Sequence, residues 1–219
     1  MEVIPSIVGT NFKEVSERLE KISGATGWVH LDVCDGKFAP STIWPFGEAD
    51  EVNDLAAFMS RTDRPKVEVH LMVENLSDWK VESILKLRPE RAVVHIESSG
   101  NIFSFMDKAT ANGAKTSVAI LLDTPSQFAT PFIARAGRLQ LMSITDLGHY
   151  GAQFDPRAID AVKTLQKKYP KVEISVDGGV NPENILSLKE AGADCVIVGS
   201  CVWASQDPVE ALKKIRSII

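Results

Sequence analysis

Val29-His30-Leu31-Asp32-Val33-Cys34-Asp35-Gly36 reads as a buried strand that carries two polar side chains and then breaks at a glycine. Alternate residues of a strand point to the same side. His30 and Asp32 therefore face one way, and Val29, Leu31 and Val33 face the other. An imidazole and a carboxylate that project together from a strand end have two readings: a hydrogen-bonded pair satisfied inside the core, or half of a site. The rest of the chain decides between them.

Short β-branched runs alternate with longer helical stretches on both sides of that strand. Strands are expected at Val3 to Ile7, Trp28 to Val33, Lys66 to Met72, Ala92 to Ile96, Thr116 to Leu122, Leu139 to Ile144, Val172 to Val176 and Cys195 to Val198. The helices between them carry start and stop signals. Asn11 is placed to cap a helix whose apolar stripe is Phe12, Val15, Leu19 and Ile22. A helix is expected near Asp50 to Ser60, and others at about Ser77 to Leu87 and Ile102 to Asn112, the latter ended by Gly113. Thr124-Pro125, Asp155-Pro156, Asn181-Pro182 and Asp207-Pro208 each open a helix with a capping side chain and a proline in the first turn. The run Cys195-Val196-Ile197-Val198 is continuously apolar, as in a parallel sheet covered on both faces. About eight strand–helix units without a linker predict one single-domain (β/α)8 TIM barrel over residues 1–219. The competitor, an open doubly wound sheet, lacks a Gly-x-Gly-x-x-Gly after its first strand.

Composition narrows the function classes. The chain has 219 residues, 44% hydrophobic and 24% charged, with a formal net charge of -5. That is the mix of a globular protein. It offers no broad electrostatic footprint for nucleic acid or an anionic membrane. Three cysteines without close pairing argue against a disulfide framework or a zinc knuckle. Met1 to Pro5 shows no signal-peptide pattern, and no apolar run is long enough to span a bilayer. A cytoplasmic protein is expected, without nucleic-acid or membrane partners and assembled as a homo-oligomer.

In such barrels the active site lies where the strands end. The polar residues collected there are Ser6, His30, Asp32, His70, His95, Glu97, Ser143 and Asp177, with Met142 beside them. His30, Asp32, His70 and Asp177 make a His2Asp2 set suited to Zn²⁺, Mn²⁺, Fe²⁺ or Co²⁺, without choosing among them. The alternative is that each is satisfied separately by core hydrogen bonds. Gly178-Gly179 and Gly199-Ser200 follow the last two strands, the common phosphate position of these barrels, although tight turns alone would also require glycine. His95 and Glu97 read as a supporting hydrogen-bonded pair.

With these residues assembled, the chain resembles the ribulose-phosphate 3-epimerase family. The matching pieces are Pro5-Ser6-Ile7, His30-Leu31-Asp32-Val33-Cys34-Asp35-Gly36-Lys37-Phe38, His70-Leu71-Met72, Met142-Ser143, Val176-Asp177-Gly178-Gly179-Val180 and Ala191 to Asp194 leading to Gly199-Ser200. The resemblance implies one divalent metal ion (Zn, Fe, Mn or Co) held by His30, Asp32, His70 and Asp177. It implies epimerisation at C3 between D-ribulose 5-phosphate and D-xylulose 5-phosphate. Asp32 and Asp177 would act as the two proton-transfer acids on opposite faces of the carbon, with the metal stabilising the enediolate between them. Substrate contacts are expected from Ser6, His70, Met72, Met142, Gly148, Gly151, Gly178, Gly179, Gly199 and Ser200. Cys34 stands where the family has a third methionine and reads as a small packing residue.

Two loops depart from the family pattern. Thr145 to Gln153 is longer than the family's glycine-rich segment; it lacks the proline and one glycine pair and carries Asp146 and His149. His149 reads equally as a phosphate contact or a solvated residue. Lys37 to Pro45 is shorter by one residue and has Trp44 where a glycine is usual. Both are expected to lie over the substrate. The alternatives are therefore an epimerase for another sugar phosphate, such as a ketohexose 6-phosphate, or a non-catalytic metabolite-binding barrel. Decarboxylation or aldol cleavage would call for a lysine beside the strand-end acids, and none lies within His30 to Asp35.

Overall fold

The computed structural model of the protein describes residues 1–47, 51–145 and 147–219. Eight strands close into a barrel in sequence order, every neighbouring pair parallel, with the last strand returning to the first. They are β1 (Glu2–Ile7), β2 (Trp28–Cys34), β3 (Lys66–Met72), β4 (Arg91–His95), β5 (Lys115–Ile120), β6 (Arg138–Met142), β7 (Glu173–Asp177) and β8 (Cys195–Val198). The helices around them are α1 (Phe12–Ile22), α2 (Ala56–Met59), α3 (Trp79–Lys86), α4 (Ile102–Ala111), α5 (Thr130–Ala136), α6 (Arg157–Lys168), α7 (Ile185–Ala191), α8 (Ser200–Trp203) and α9 (Pro208–Arg216). The expected (β/α)8 barrel is therefore the fold. Among the described residues, no helix is long and apolar enough to cross a membrane.

The caps explain why the helices begin and end where they do. The side chains of Asn11, Asp78 and Asn101 accept hydrogen bonds from backbone N–H groups in the first turns of α1, α3 and α4. Asp207 does the same for α9, accepting from the N–H groups of Val209 and Glu210. Gly192 ends α7 at φ 100°, a left-handed conformation that glycine adopts without strain.

Three helical segments differ from expectation. Asn181-Pro182 does not open α7 directly: the helix begins at Ile185, without a side-chain cap. Thr124-Pro125 does not start a regular helix: a 3-10 turn over Ser126–Ala129 precedes α5. Thr124 provides no side-chain cap there. The segment after the second strand is also less regular than the helix expected near Asp50 to Ser60. A 3-10 turn, Val52–Leu55, leads into the four-residue α2, and Asp50 lies outside the described residues.

The period of two sorts each strand's side chains between two cores. Val29, Leu31 and Val33 of β2 and Val67, Val69 and Leu71 of β3 point outward and pack under the helices with Leu19, Leu55 and Leu85. The alternate residues His30, Asp32, Glu68 and His70 are buried inside the barrel. Register then places functional groups side by side: Ser6 pairs with His30, His30 with Glu68, Asp32 with His70, and Met142 with Asp177. Leu71 is fully buried between sheet and helices. Leu71→Ala is expected to destabilise the fold by about 2–5 kcal/mol, through lost burial and a cavity that the shell fills only in part. Equilibrium denaturant unfolding measures it.

Candidate active site

The upper end of the barrel gathers the polar strand ends into one cluster. His30, Asp32, His70 and Asp177 are all buried, and each offers one ligand-capable atom within 4.8 Å of the others. His30 Nε2 lies 3.3 Å from Asp32 Oδ1 and 3.3 Å from Asp177 Oδ2. His70 Nδ1 lies 2.9 Å from Asp32 Oδ1 and 3.3 Å from Asp177 Oδ2. Gln140, one pleat below Met142 on β6, donates its amide N–H to Asp177 Oδ2 at 3.0 Å. The reading of four separately satisfied core residues does not describe this arrangement: His30 Nε2 is buried and has no hydrogen-bond partner.

The opposite nitrogen of each imidazole is held from behind. His30 Nδ1 is 2.6 Å from Glu68 Oε1. His70 Nε2 is 2.9 Å from His95 Nε2, and His95 Nδ1 is 3.2 Å from Glu97 Oε2. The other Glu97 oxygen accepts the backbone N–H of Leu121 at 2.9 Å. A carboxylate only accepts, so His95 carries its hydrogen on Nδ1 when neutral and accepts from His70 through Nε2. Burial and the neighbouring His70 favour that neutral form, moving the His95 pKa down to about 4 despite the Glu97 carboxylate. His95 and Glu97 thus form the expected supporting pair.

The electrostatics of the central groups follow from burial set against charge. Burial opposes a charged His30, but the carboxylates of Asp32, Asp177 and Glu68 outweigh it and raise its pKa well above 6.5. His70 is raised for the same reason, with Asp177 and Asp32 as its acceptors. Burial likewise opposes a charged Asp177, yet the His30 and His70 imidazoles beside it hold its carboxyl well below the usual carboxylate range. Asp177 is therefore ionised at neutral pH.

Above this cluster is a cavity lined by Ser6, Asp32, Met72, Met142, Asp177, Gly178, Gly179, Gly199, Ser200, Gly148 and Gly151, among others. Every residue expected to touch substrate lines it except His70. That ring is buried between His30 and His95, its centroid 5.0 Å from each, and it presents Nδ1 to the carboxylates beneath the cavity floor. Among the described residues no lysine lines the cavity. The glycine turns have structural reasons of their own. Gly178 sits at φ 112°, and a Cβ there would come within 2.6 Å of Ile144; a Cβ on Gly179 would come within 2.5 Å of the Phe154 backbone. Ser143 braces the same turn, its hydroxyl donating to the carbonyls of Asp177 at 3.0 Å and Gly178 at 2.6 Å.

The two divergent loops behave differently. Of Lys37 to Pro45, Ala39 and Ile43 join Cys34, Met72, Met142, Ile144 and Leu147 in an apolar cap beside the cavity. Trp44 does not lie over the substrate. It turns the other way, 1% exposed, into the core between β2 and the helices, with its ring 5.8 Å from Phe12. Cys34 is fully buried in the cap, and burial pushes its thiol pKa up, which fits a packing role. The loop after β6 is fastened by Tyr150, which the sequence did not mark as functional. Its hydroxyl accepts the N–H of Val8 at 3.0 Å and donates to the carbonyl of Ser6 at 3.0 Å. Its ring packs on Gly199, and the Arg18 guanidinium stacks over it at 5.0 Å. His149 is exposed and lies 3.0 Å through Nδ1 from the Tyr150 carbonyl, while still bordering the cavity. Asp146 lies outside the described residues.

A parallel barrel with two carboxylates and two imidazoles converging under a cavity at its mouth is an enzyme of the TIM-barrel class. Residues 2–203 match the model of the ribulose-phosphate 3 epimerase family. The chain belongs to that family, and with its relatives it is an isomerase acting on carbohydrate. A rice protein named ribulose-phosphate 3-epimerase, cytoplasmic isoform, is 28% identical, the match covering 100% of this chain and 94% of that protein. An Arabidopsis thaliana protein named ribulose-5-phosphate-3-epimerase, chloroplastic, is 31% identical over 98% of this chain and 76% of its own. A Helicobacter pylori ribulose-phosphate 3-epimerase is 29% identical over 99% and 98%. Among solved structures, a 3-hexulose-6-phosphate synthase from Salmonella typhimurium superposes with a TM-score of 0.75 at 19% identity, covering 100% of this chain and 98% of that one; this likeness is one of fold.

Tyr150 ties the loop after β6 to the end of β1 through one hydroxyl. Tyr150→Phe is expected to lower global stability by about 0.5–1.5 kcal/mol and to speed amide hydrogen exchange in the loop 147–153. Unchanged exchange in that loop would show that the hydroxyl is not what holds it.

Proposed function

We propose that the chain epimerises a ketose phosphate at C3, interconverting D-ribulose 5-phosphate and D-xylulose 5-phosphate. The observation that carries this reading is the placement of Asp32 and Asp177. They come from β2 and β7, with β1 and β8 between them, and both border the cavity while sharing the same two imidazoles. Inversion at carbon needs a base on one face and an acid on the other. One carboxylate removes the C3 proton, and the other, protonated, delivers a proton to the opposite face. Their roles exchange in the reverse direction.

The His2Asp2 group fits a divalent ion. Its donor set is of the right chemistry, and the unpartnered His30 Nε2 faces the space between the two carboxylates. His30, Asp32, His70 and Asp177 would hold one Zn, Fe, Mn or Co ion, which supplies positive charge against the oxygens beside the reacting carbon. Ser6 and the backbone of Gly178, Gly179, Gly199 and Ser200 bind the polar and phosphate ends. Gly148 and Gly151 close over them, and Met72 and Met142 exclude water from the reacting face. The whole chain, 1–219, is read as one barrel domain acting in the cytoplasm, in line with the rice relative's name. The divergent loops at 37–45 and 145–153 keep a ketohexose 6-phosphate as a second reading, and comparing kcat/KM over the two sugar phosphates separates them.

Exchange of the C3 proton of ribulose 5-phosphate in D₂O, followed by NMR with divalent metal supplied, tests the reaction. Wild type exchanges, while Asp32→Asn and Asp177→Asn each lose roughly 10²-fold or more, the scale of a lost general acid or base. Absence of exchange in the wild type would remove this substrate.

The pKa values give a second test. In the metal-free chain His30 and His70 hold protons above 6.5. A metal ion needs neutral imidazole and must displace those protons. Apparent affinity is therefore expected to rise as pH climbs above 6.5 through the raised histidine pKa values, with proton release on binding. Calorimetry in buffers of different ionisation enthalpy reads both, and a flat profile would contradict the assignment.

A further inference from the structure

We propose that Glu68 is a positioning residue that fixes which nitrogen of His30 faces the metal side, and that Arg91 and Arg138 fix which way Glu68 can face. The inference rests on the divalent-ion reading above. His30 and Glu68 are both 0% exposed and occupy paired positions on β2 and β3. The contact between Nδ1 and Oε1, 2.6 Å, is at the short end for a charge-assisted hydrogen bond. A carboxylate has only lone pairs to offer, so the hydrogen lies on Nδ1. In a neutral ring that leaves Nε2 as a bare lone pair. This is the buried atom without a hydrogen-bond partner, 3.3 Å from one oxygen each of Asp32 and Asp177. A lone pair facing two carboxylates is repelled unless a cation, a metal ion or a proton, stands on that side. In either state Nδ1 keeps its hydrogen.

The two arginines make Glu68 directional. Its second oxygen, Oε2, accepts from Arg91 NH1 at 2.7 Å and from Arg138 NH1 at 3.1 Å. Each guanidinium is itself held, Arg91 over the Trp28 ring at 4.8 Å and Arg138 by Glu173 Oε2 at 3.0 Å. Guanidinium groups only donate. A glutamine at position 68 must therefore turn its carbonyl oxygen toward the two arginines and its NH2 toward His30. The ring would then accept at Nδ1 and carry its hydrogen at Nε2, on the side the metal needs. Glu68→Gln preserves size and most packing but reverses the tautomer. Glu68→Asp keeps an acceptor-only group, so the tautomer stays correct at a longer reach.

The experiment uses the full chain stripped of metal and titrated with Co²⁺ against a chromophoric chelator. Wild type binds, Glu68→Gln binds at least about tenfold more weakly, in the range seen when a partner of a metal-ligating histidine is lost, and Glu68→Asp recovers part of the difference. A merely structural ion cluster would lower thermal stability in both variants without this ordering of Co²⁺ affinities. A folded Glu68→Gln protein with wild-type Co²⁺ affinity overturns the proposal. A wild type that binds no Co²⁺ removes the metal reading itself, and this inference with it. Should Glu68→Gln fail to fold, long-range ¹⁵N–¹H correlation on the Zn²⁺-loaded wild type decides: His30 protonated at Nδ1 supports the assignment, and protonation at Nε2 overturns it.

Discussion

Inside a closed parallel barrel there is no bulk water, so an inward polar side chain must find its partner among the other inward side chains, on a neighbouring strand or across the barrel. The period of two along each strand and the register between strands fix which partner that is. His30 has only Ser6 and Glu68 beside it in register, and Asp32 has His70. Leaving any of these unpaired would incur the penalty of a buried polar or charged group. The site is thus a continuation of the barrel's own need to satisfy its interior.

That constraint produces layers along the barrel axis. Lowest is an ionic layer, Glu68 between Arg91 and Arg138, in which burial works against the charge on Glu68 but His30 and the two arginines lower its pKa to about 2. Next come the imidazoles of His30, His70 and His95. Above them Asp32 and Asp177 reach the cavity, and over these lies the apolar cap of Met72, Met142, Ile144 and Leu147. Asp32 and Asp177 border the open cavity, while Glu68, His95 and Glu97 hold the imidazoles from behind. Dry, low-dielectric surroundings strengthen each pairing, so the few carboxylates at the surface of this stack are set by everything beneath them.

The sequence made the barrel and its four central residues legible because both are written in short-range patterns. His30 and Asp32 share a face by alternation, as do Glu68, His70 and Met72, so Glu68 is accessible to the same argument. Gln140 was equally reachable, two residues before Met142. Arg91 and Arg138 were not: their role appears only when β4 and β6 both close toward Glu68, a contact spanning 70 residues for Arg138. Tyr150 had no local signal at all, since its hydroxyl bonds across 144 residues to Ser6. Trp44 was misplaced for a related reason. A bulky residue in a loop near the mouth can turn toward the cavity or toward the helix-side core, and only the assembled shell, with Phe12 waiting there, shows that it turns to the core.

The same division separates chemistry from specificity. The carboxylates and imidazoles of the site are fixed by strand register, which a change in the loops does not reach. What the substrate must fit is shaped by the loop after β6, fastened through Tyr150 at Ser6 and resting on Gly199, and by the cap residues Ala39 and Ile43. These contacts are made by loop side chains and can be remodelled without disturbing the hydrogen bonds of the stack below. In a barrel built this way the strand-borne cluster and the loop-borne wall of the cavity can change separately.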